Sequence, residues 1–125
     1  MGQNEALPYK NSGIQNLNNG NFDQAIADLT QAIKLNPNDA EIYYGRGTAY
    51  NGKGDQGKAL EDLDRALQLN PGDSYAYFAR GCVFVLKDEF ERGIKDLETS
   101  LRINPDNPDA RHQLEMARKM QEIMK

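Results

Sequence analysis

Apolar residues return at helical spacing through most of the chain. Ala25, Ile26, Leu29, Ala32 and Ile33 follow the i, i+3, i+4, i+7 rule of a helix with one buried face, and a second stretch carries Tyr43, Gly47, Ala49 and Tyr50. Turn residues part the stretches, Asn19-Gly20-Asn21 first and Gly52-Lys53-Gly54-Asp55 next, and both suit the exit from a helix. Asn36-Pro37, Asn70-Pro71 and Asn104-Pro105 end helices, because proline stops propagation and turns its predecessor out of the helical region. The pattern predicts seven helices, over 7–19, 23–36, 40–53, 57–70, 74–87, 91–104 and 108–124, and no strand.

The Asn-Pro pairs recur every 34 residues, and other columns keep the step: Tyr9, Tyr43, Tyr77; Gly13, Gly47, Gly81; Leu29, Leu63, Leu97. Further columns vary conservatively, as in Ala25, Ala59, Gly93 or Ala32, Ala66, Ser100. Each period is a helical hairpin. The small columns follow from close packing, which leaves no room for a branched side chain where Gly47 faces Ala59 or Gly81 faces Gly93.

The 34-residue step, the Gly, Tyr, Ala and Pro columns and the paired helices resemble the tetratricopeptide repeat. The resemblance covers three repeats, 6–39, 40–73 and 74–107, within a single domain, 1–125. It implies an all-α fold, a right-handed superhelical array of helical hairpins (an α-α solenoid). Ser12 and Asn16 stand where the family places large apolar residues, so the first helix is expected to be the loosest, with Pro8 in its opening turn. Asn107 reads as the cap of a last helix, 108–124, with Ala110, Leu114 and Ala117 on one face. Glu115 occupies the glycine column and bars a further helix from docking, so 108–124 reads as a capping helix. The apolar excess of Met116, Met120, Ile123 and Met124 keeps open a fragment of a longer scaffold.

Charge narrows the partners. Fifteen Lys and Arg against nineteen Asp and Glu give a net charge of -4, which disfavours nucleic acid. A lone Cys82 and a lone His112 exclude an intramolecular disulfide and a histidine metal cluster. No apolar run approaches the roughly 20 residues of a membrane span, and MGQNEALPYK has no signal-peptide pattern, so a membrane is not expected and a cytoplasmic location is favoured. The Met1-Gly2 start meets Ala6 where myristoylation needs Ser or Thr.

Gly52-Lys53-Gly54-Asp55-Gln56-Gly57-Lys58 fits the core of a phosphate-binding loop, but Ala59 follows where Ser or Thr holds magnesium, and a helix precedes it where a strand is needed. Cys82 as a nucleophile with His112 as its base has nothing in the sequence to bring the two together, and a lone cysteine is most often a small buried hydrophobe. The carboxylates lie on solvated faces, with no pair set apart for acid-base work. No catalytic residue, metal or cofactor is expected. Asp28, Asp62 and Asp96 share a column, as do Arg46 and Arg80; helix register favours pairs between repeats, Asp28 with Arg46 and Asp62 with Arg80, over pairs within one repeat, Arg46 with Asp62 and Arg80 with Asp96.

The resemblance implies that the first helix of each repeat lines a concave ligand groove. Carried over, the groove residues are Lys10, Ile14, Tyr44, Thr48, Tyr75, Phe78, Cys82, Val85, His112 and Met116. Glu41, Gly45, Asn51 and Ala79 line the same helices. The third-repeat stripe of Tyr75, Phe78, Cys82 and Val85 has no repeat to cover it and reads as a partner site. The family's clamp for acidic chaperone tails falls on Lys10, Ile14, Gly45, Tyr75 and Ala79, and only the lysine is kept, so that ligand is not expected. The reading is a noncatalytic protein-protein interaction adaptor that binds a peptide or helix segment in its groove. The alternative is a structural module that self-associates through the groove or the end helix.

Overall fold

Residues 2–125 are described in a computed structural model, with side chains from residue 4 onward. Seven helices form among them: α1 (Gly2–Asn18), α2 (Phe22–Leu35), α3 (Ala40–Lys53), α4 (Gln56–Leu69), α5 (Ser74–Leu86), α6 (Phe90–Ile103) and α7 (Pro108–Ile123). No strand occurs among the described residues. The bounds of α2 to α7 meet expectation to within one residue, whereas α1 starts at Gly2, so Pro8 lies inside the helix and not in its opening turn. The backbone there loses one i to i−4 hydrogen bond and continues, a cost an exposed helix end tolerates. Met1, the first half of the Met1-Gly2 start, lies outside the described residues.

Local chemistry fixes the ends. Asp39, Asp55, Asp73 and Asn107 each accept a backbone N–H from the first turn of α3, α4, α5 and α7. At the other ends, Asn36, Asn70 and Asn104 close α2, α4 and α6 ahead of the prolines.

The chain divides into two compact units, Met1–Pro71 and Gly72–Lys125. In the first, α1 pairs with α2 and α3 with α4, while α3 also packs on α2 and α1. Its core gathers Ala6, Leu29, Ala32 and Ile42, with Ile33 and Leu35 against them. In the second, α5, α6 and α7 all pack on one another around Leu97, Leu114 and Ala117.

The small columns do what close packing requires. A Cβ on Gly47 would lie 3.1 Å from Leu63 Cγ and 3.2 Å from the Ala59 carbonyl. One on Gly81 would lie 3.0 Å from Leu97 Cγ and 3.1 Å from the Gly93 carbonyl. Ser100, the polar member of its column, donates its hydroxyl to the Ser74 carbonyl at 2.8 Å and so pins α6 to the start of α5.

The ion pairs correct the expected register. Arg46 grips Asp62 with Nε and Nη2, both at 2.8 Å, and Arg80 grips Asp96 in the same way at 2.8 and 2.9 Å, so the pairs lie within one repeat. Asp28 instead accepts from Ser12 and Asn16. Ser12 belongs to the Arg46 and Arg80 column, so each aspartate is served by its own hairpin. The glycine column allows this, because it draws the second helix within reach of the arginine on the first.

Candidate functional site

In the first unit, Lys10 and Ile14 lie one turn apart on α1, as do Tyr44 and Thr48 on α3, and all four are half-buried. Lys10 is not a free cation. Its Nζ donates to Asp39 Oδ2 at 2.8 Å and meets Glu41 Oε1 at 2.7 Å. Burial works against this ammonium, but the hydrogen bonds to Asp39 and then Glu41 outweigh it and hold its pKa above the usual lysine value. Thr48 Oγ donates back to the Tyr44 carbonyl at 2.8 Å. Two donors of this face are therefore committed within the chain.

Asp39 was not among the expected site residues. Its role in starting α3 is legible in the sequence, but its pairing with a lysine two helices earlier is not. Asn51 adds an acceptor: its side-chain oxygen is closed to solvent and has no hydrogen-bond partner, in the column that holds Leu17 and Val85. Gly45 is buried, and a Cβ there would come within 3.2 Å of Leu29 Cδ1, so no donor larger than hydrogen fits without a shift.

In the second unit, Tyr75 is 55% exposed and Met116 46%, and His112 is also exposed. Phe78, Cys82 and Val85 differ from expectation. They are half-buried against Leu97, Leu114 and Ala117, so α7 covers much of a stripe that the sequence left open. The reason is the rotation of α7, which turns its small and apolar face, Ala110, Leu114 and Ala117, inward. Burial, with the Asp109 carboxylate adding to it, pushes the Cys82 thiol up to about 11. Such a thiol is not a nucleophile at neutral pH.

The phosphate-loop look-alike is an inter-helix turn. Gly54, at φ 88°, ends α3, and Asp55 Oδ1 accepts the Lys58 N–H at 3.2 Å, which puts a carboxylate where a phosphate would sit. No group of three or more metal-ligating side chains gathers among the described residues, and no helix among them is long and apolar enough to cross a membrane. A hollow of about 570 Å³ lies beside the α5–α6 turn and the end of α7, lined by Asp88, Phe90, Arg92 and Gln121 among others, and holds none of the expected site residues.

The chain matches the pattern of the tetratricopeptide repeat over residues 13–74 and again over 48–118. Solved structures agree. The TPR domain of Arabidopsis OM64 superposes with a TM-score of 0.92 at 23% identity, over 95% of this chain and 98% of that one. The first TPR of Spaghetti (RPAP3), bound to the HSP90 peptide SRMEEVD, gives 0.92 at 26% identity, over 96% and 95%. The first TPR domain of human RPAP3 gives 0.87 at 27%, over 91% and 90%.

Proposed function

Because the chain belongs to the tetratricopeptide repeat family, whose solved relatives share its all-α helical-repeat fold, we propose that it is a noncatalytic protein-interaction adaptor that holds an extended or helical peptide against its first-helix side chains. In this reading the three repeats and the closing helix 108–124 serve as one functional domain. The supporting observation is the second unit's face. Tyr75 stands about half exposed one turn from Phe78, which the core anchors, on α5, and Met116 stands about half exposed one turn from the exposed His112 on α7, the helix that packs on α5.

The ligand is not of the SRMEEVD kind that RPAP3 carries. Of the positions that resemblance assigns to an acidic tail, Ile14, Gly45, Tyr75 and Ala79 offer no cation, and Lys10 is already paired. Burial of two or three aromatic or apolar side chains contributes about 1.5 to 3 kcal/mol each, against about 4 kcal/mol or more of lost freedom, so these contacts alone leave at most about 5 kcal/mol, an affinity on the order of 0.1 to 1 mM.

A peptide-array or pull-down screen tests this. Hits should be lost with Tyr75→Glu and Met116→Glu at unchanged melting temperature. Both positions are exposed, whereas Phe78→Glu would disturb the core. Hits indifferent to both substitutions would contradict it. A second reading, self-association through the end helix, draws on the exposed Met120, Ile123 and Met124. Sedimentation separates the two, because a chain monomeric at all accessible concentrations leaves only a foreign ligand.

A further inference from the structure

We propose that Asp39 and Glu41 set the charge selectivity of the first unit's peptide face: by holding Lys10 between them they turn away anionic segments and favour a segment that carries lysine or arginine. The inference rests on the adaptor reading above.

The geometry carries it. Asp39 uses both oxygens within the chain, Oδ1 accepting the Glu41 N–H at 3.0 Å and Oδ2 accepting from Lys10 Nζ at 2.8 Å. Its side chain is only 22% exposed, and that of Lys10 only 16%. This half of the triad is fixed by the start of α3 and does not swing away. Glu41, at 2.7 Å from Lys10 but with a side chain 63% exposed, is the half that faces water.

One ammonium between two carboxylates leaves the group with a net charge of −1. A peptide carboxylate approaching Lys10 would have to displace Asp39 or Glu41, losing one charge-assisted hydrogen bond for each it makes, while the displaced carboxylate stays nearby to repel it. A cationic side chain meets the reverse situation, with Glu41 exposed to receive it and nothing to displace. The neighbouring positions do not offset this, since Ile14 and Gly45 bring no charge and Thr48 spends its hydroxyl on the Tyr44 carbonyl.

The test uses the full chain and two probes, SRMEEVD and its basic counterpart SRMKKVK amide, titrated by NMR at low salt. The unmodified chain should bind the basic probe at least tenfold more tightly than the acidic one. In the double variant Asp39→Asn, Glu41→Gln, where Asn keeps the acceptor that starts α3, the preference should shrink to within about twofold, and adding Lys10→Ala should remove the gain toward the acidic probe.

A ligand-free readout runs beside it. Lys10 should be acetylated at least fivefold more slowly than the exposed Lys34, and as fast in the double variant. Equal binding of the two probes by the unmodified chain, an unchanged preference in a double variant that keeps its melting temperature, or equal acetylation of Lys10 and Lys34 overturns the proposal. If array hits that depend on Tyr75 and Met116 persist in any of these cases, only the selectivity fails. Binding of neither probe together with an empty array overturns the adaptor reading and the selectivity alike.

Discussion

The first hairpin, α1–α2, and the third, α5–α6, follow one column scheme and are held by different physics. In the third, Arg80 grips a buried Asp96, Leu97 is fully buried, and α7 lies over the stripe of Phe78, Cys82 and Val85. In the first, Ser12 replaces the arginine, Asn16 stands in the Phe84 column, and Asp28 is held by their neutral hydrogen bonds. The columns of Ala76 and Val83, fully buried in α5, carry Pro8 and Gln15 in α1, both exposed. From residue 4 onward α1 buries only Ala6 and Gly13. A repeat scheme thus fixes where helices go, while the residues in its columns decide whether a hairpin is held by apolar contact or by polar contact open to water.

The sharpest way to break this comparison is to end the chain at Asn107. Without α7 the third hairpin loses Leu114 and Ala117 and exposes Leu97, Phe78 and Val85, at a cost of about 5 kcal/mol at 1.5 to 3 kcal/mol for each buried side chain. Denaturant unfolding should show the loss, and sedimentation should show association. A truncated chain that stayed monomeric and equally stable would remove α7 from any capping role.

The aspartate column gives the next contrast. Asp96→Ala removes the carboxylate that takes two charge-assisted hydrogen bonds from the half-buried Arg80 guanidinium and should cost about 2 to 3 kcal/mol. Asp28→Ala leaves only a hydroxyl and an amide, both within reach of water, and should cost about 1 kcal/mol. Equal losses in chemical denaturation would mean that burial, not partner charge, governs the column.

These contrasts also mark what the sequence made legible. Periodicity placed α2 to α7, and Asn107 was readable as the cap of α7, because apolar spacing, capping residues and prolines act locally. The glycine column foretold which helices approach closely, since a missing side chain has one steric meaning. Three things were not legible. Whether an arginine turns to its own hairpin or the next depends on helix rotation and side-chain reach, which no column encodes. That α7 would cover Cys82 and Val85 follows from its orientation in space, although its inward face was readable. That Asp39 would capture Lys10 joins residues far apart in the chain, and the sequence shows Asp39 only as a helix start.

Cys82 sharpens the comparison at the next level, because its column holds Ile14 in the first hairpin, which does not titrate. The folded thiol ionises near 11, the unfolded one near 9.0. Between those values the unfolded chain holds fewer protons than the folded one, so stability is full below about pH 9 and falls as pH rises toward 11, by about 2 to 3 kcal/mol. Cys82→Ala should abolish that part of the alkaline loss. At pH 8 the thiol should react with a disulfide reagent on the order of 100-fold more slowly than a free cysteine. Fast labelling of the native chain would show that α7 does not cover it.

The turns of the two hairpins supply the smallest effect. The turn after α1 places Gly20 at φ 79°, and its counterpart after α3 places Gly54 at φ 88°, a left-handed region that glycine enters at no steric cost. The third hairpin puts Asp88 there, at φ 62°. An L side chain in this region crowds its own carbonyl at a cost of about 1 to 2 kcal/mol, of which aspartate recovers part through local hydrogen bonding. Asp88→Gly relieves the crowding but frees the unfolded chain, which gives some of the gain back. The net should be a stabilisation of about 0.5 to 1 kcal/mol, read as a melting temperature a few degrees higher. Gly54→Ala, where the second hairpin needs the same conformation and alanine brings no hydrogen bond, should lower stability by about 1 kcal/mol. A Gly54→Ala loss together with an unchanged Asp88→Gly melting temperature would mean that the aspartate side chain offsets the full strain of its turn.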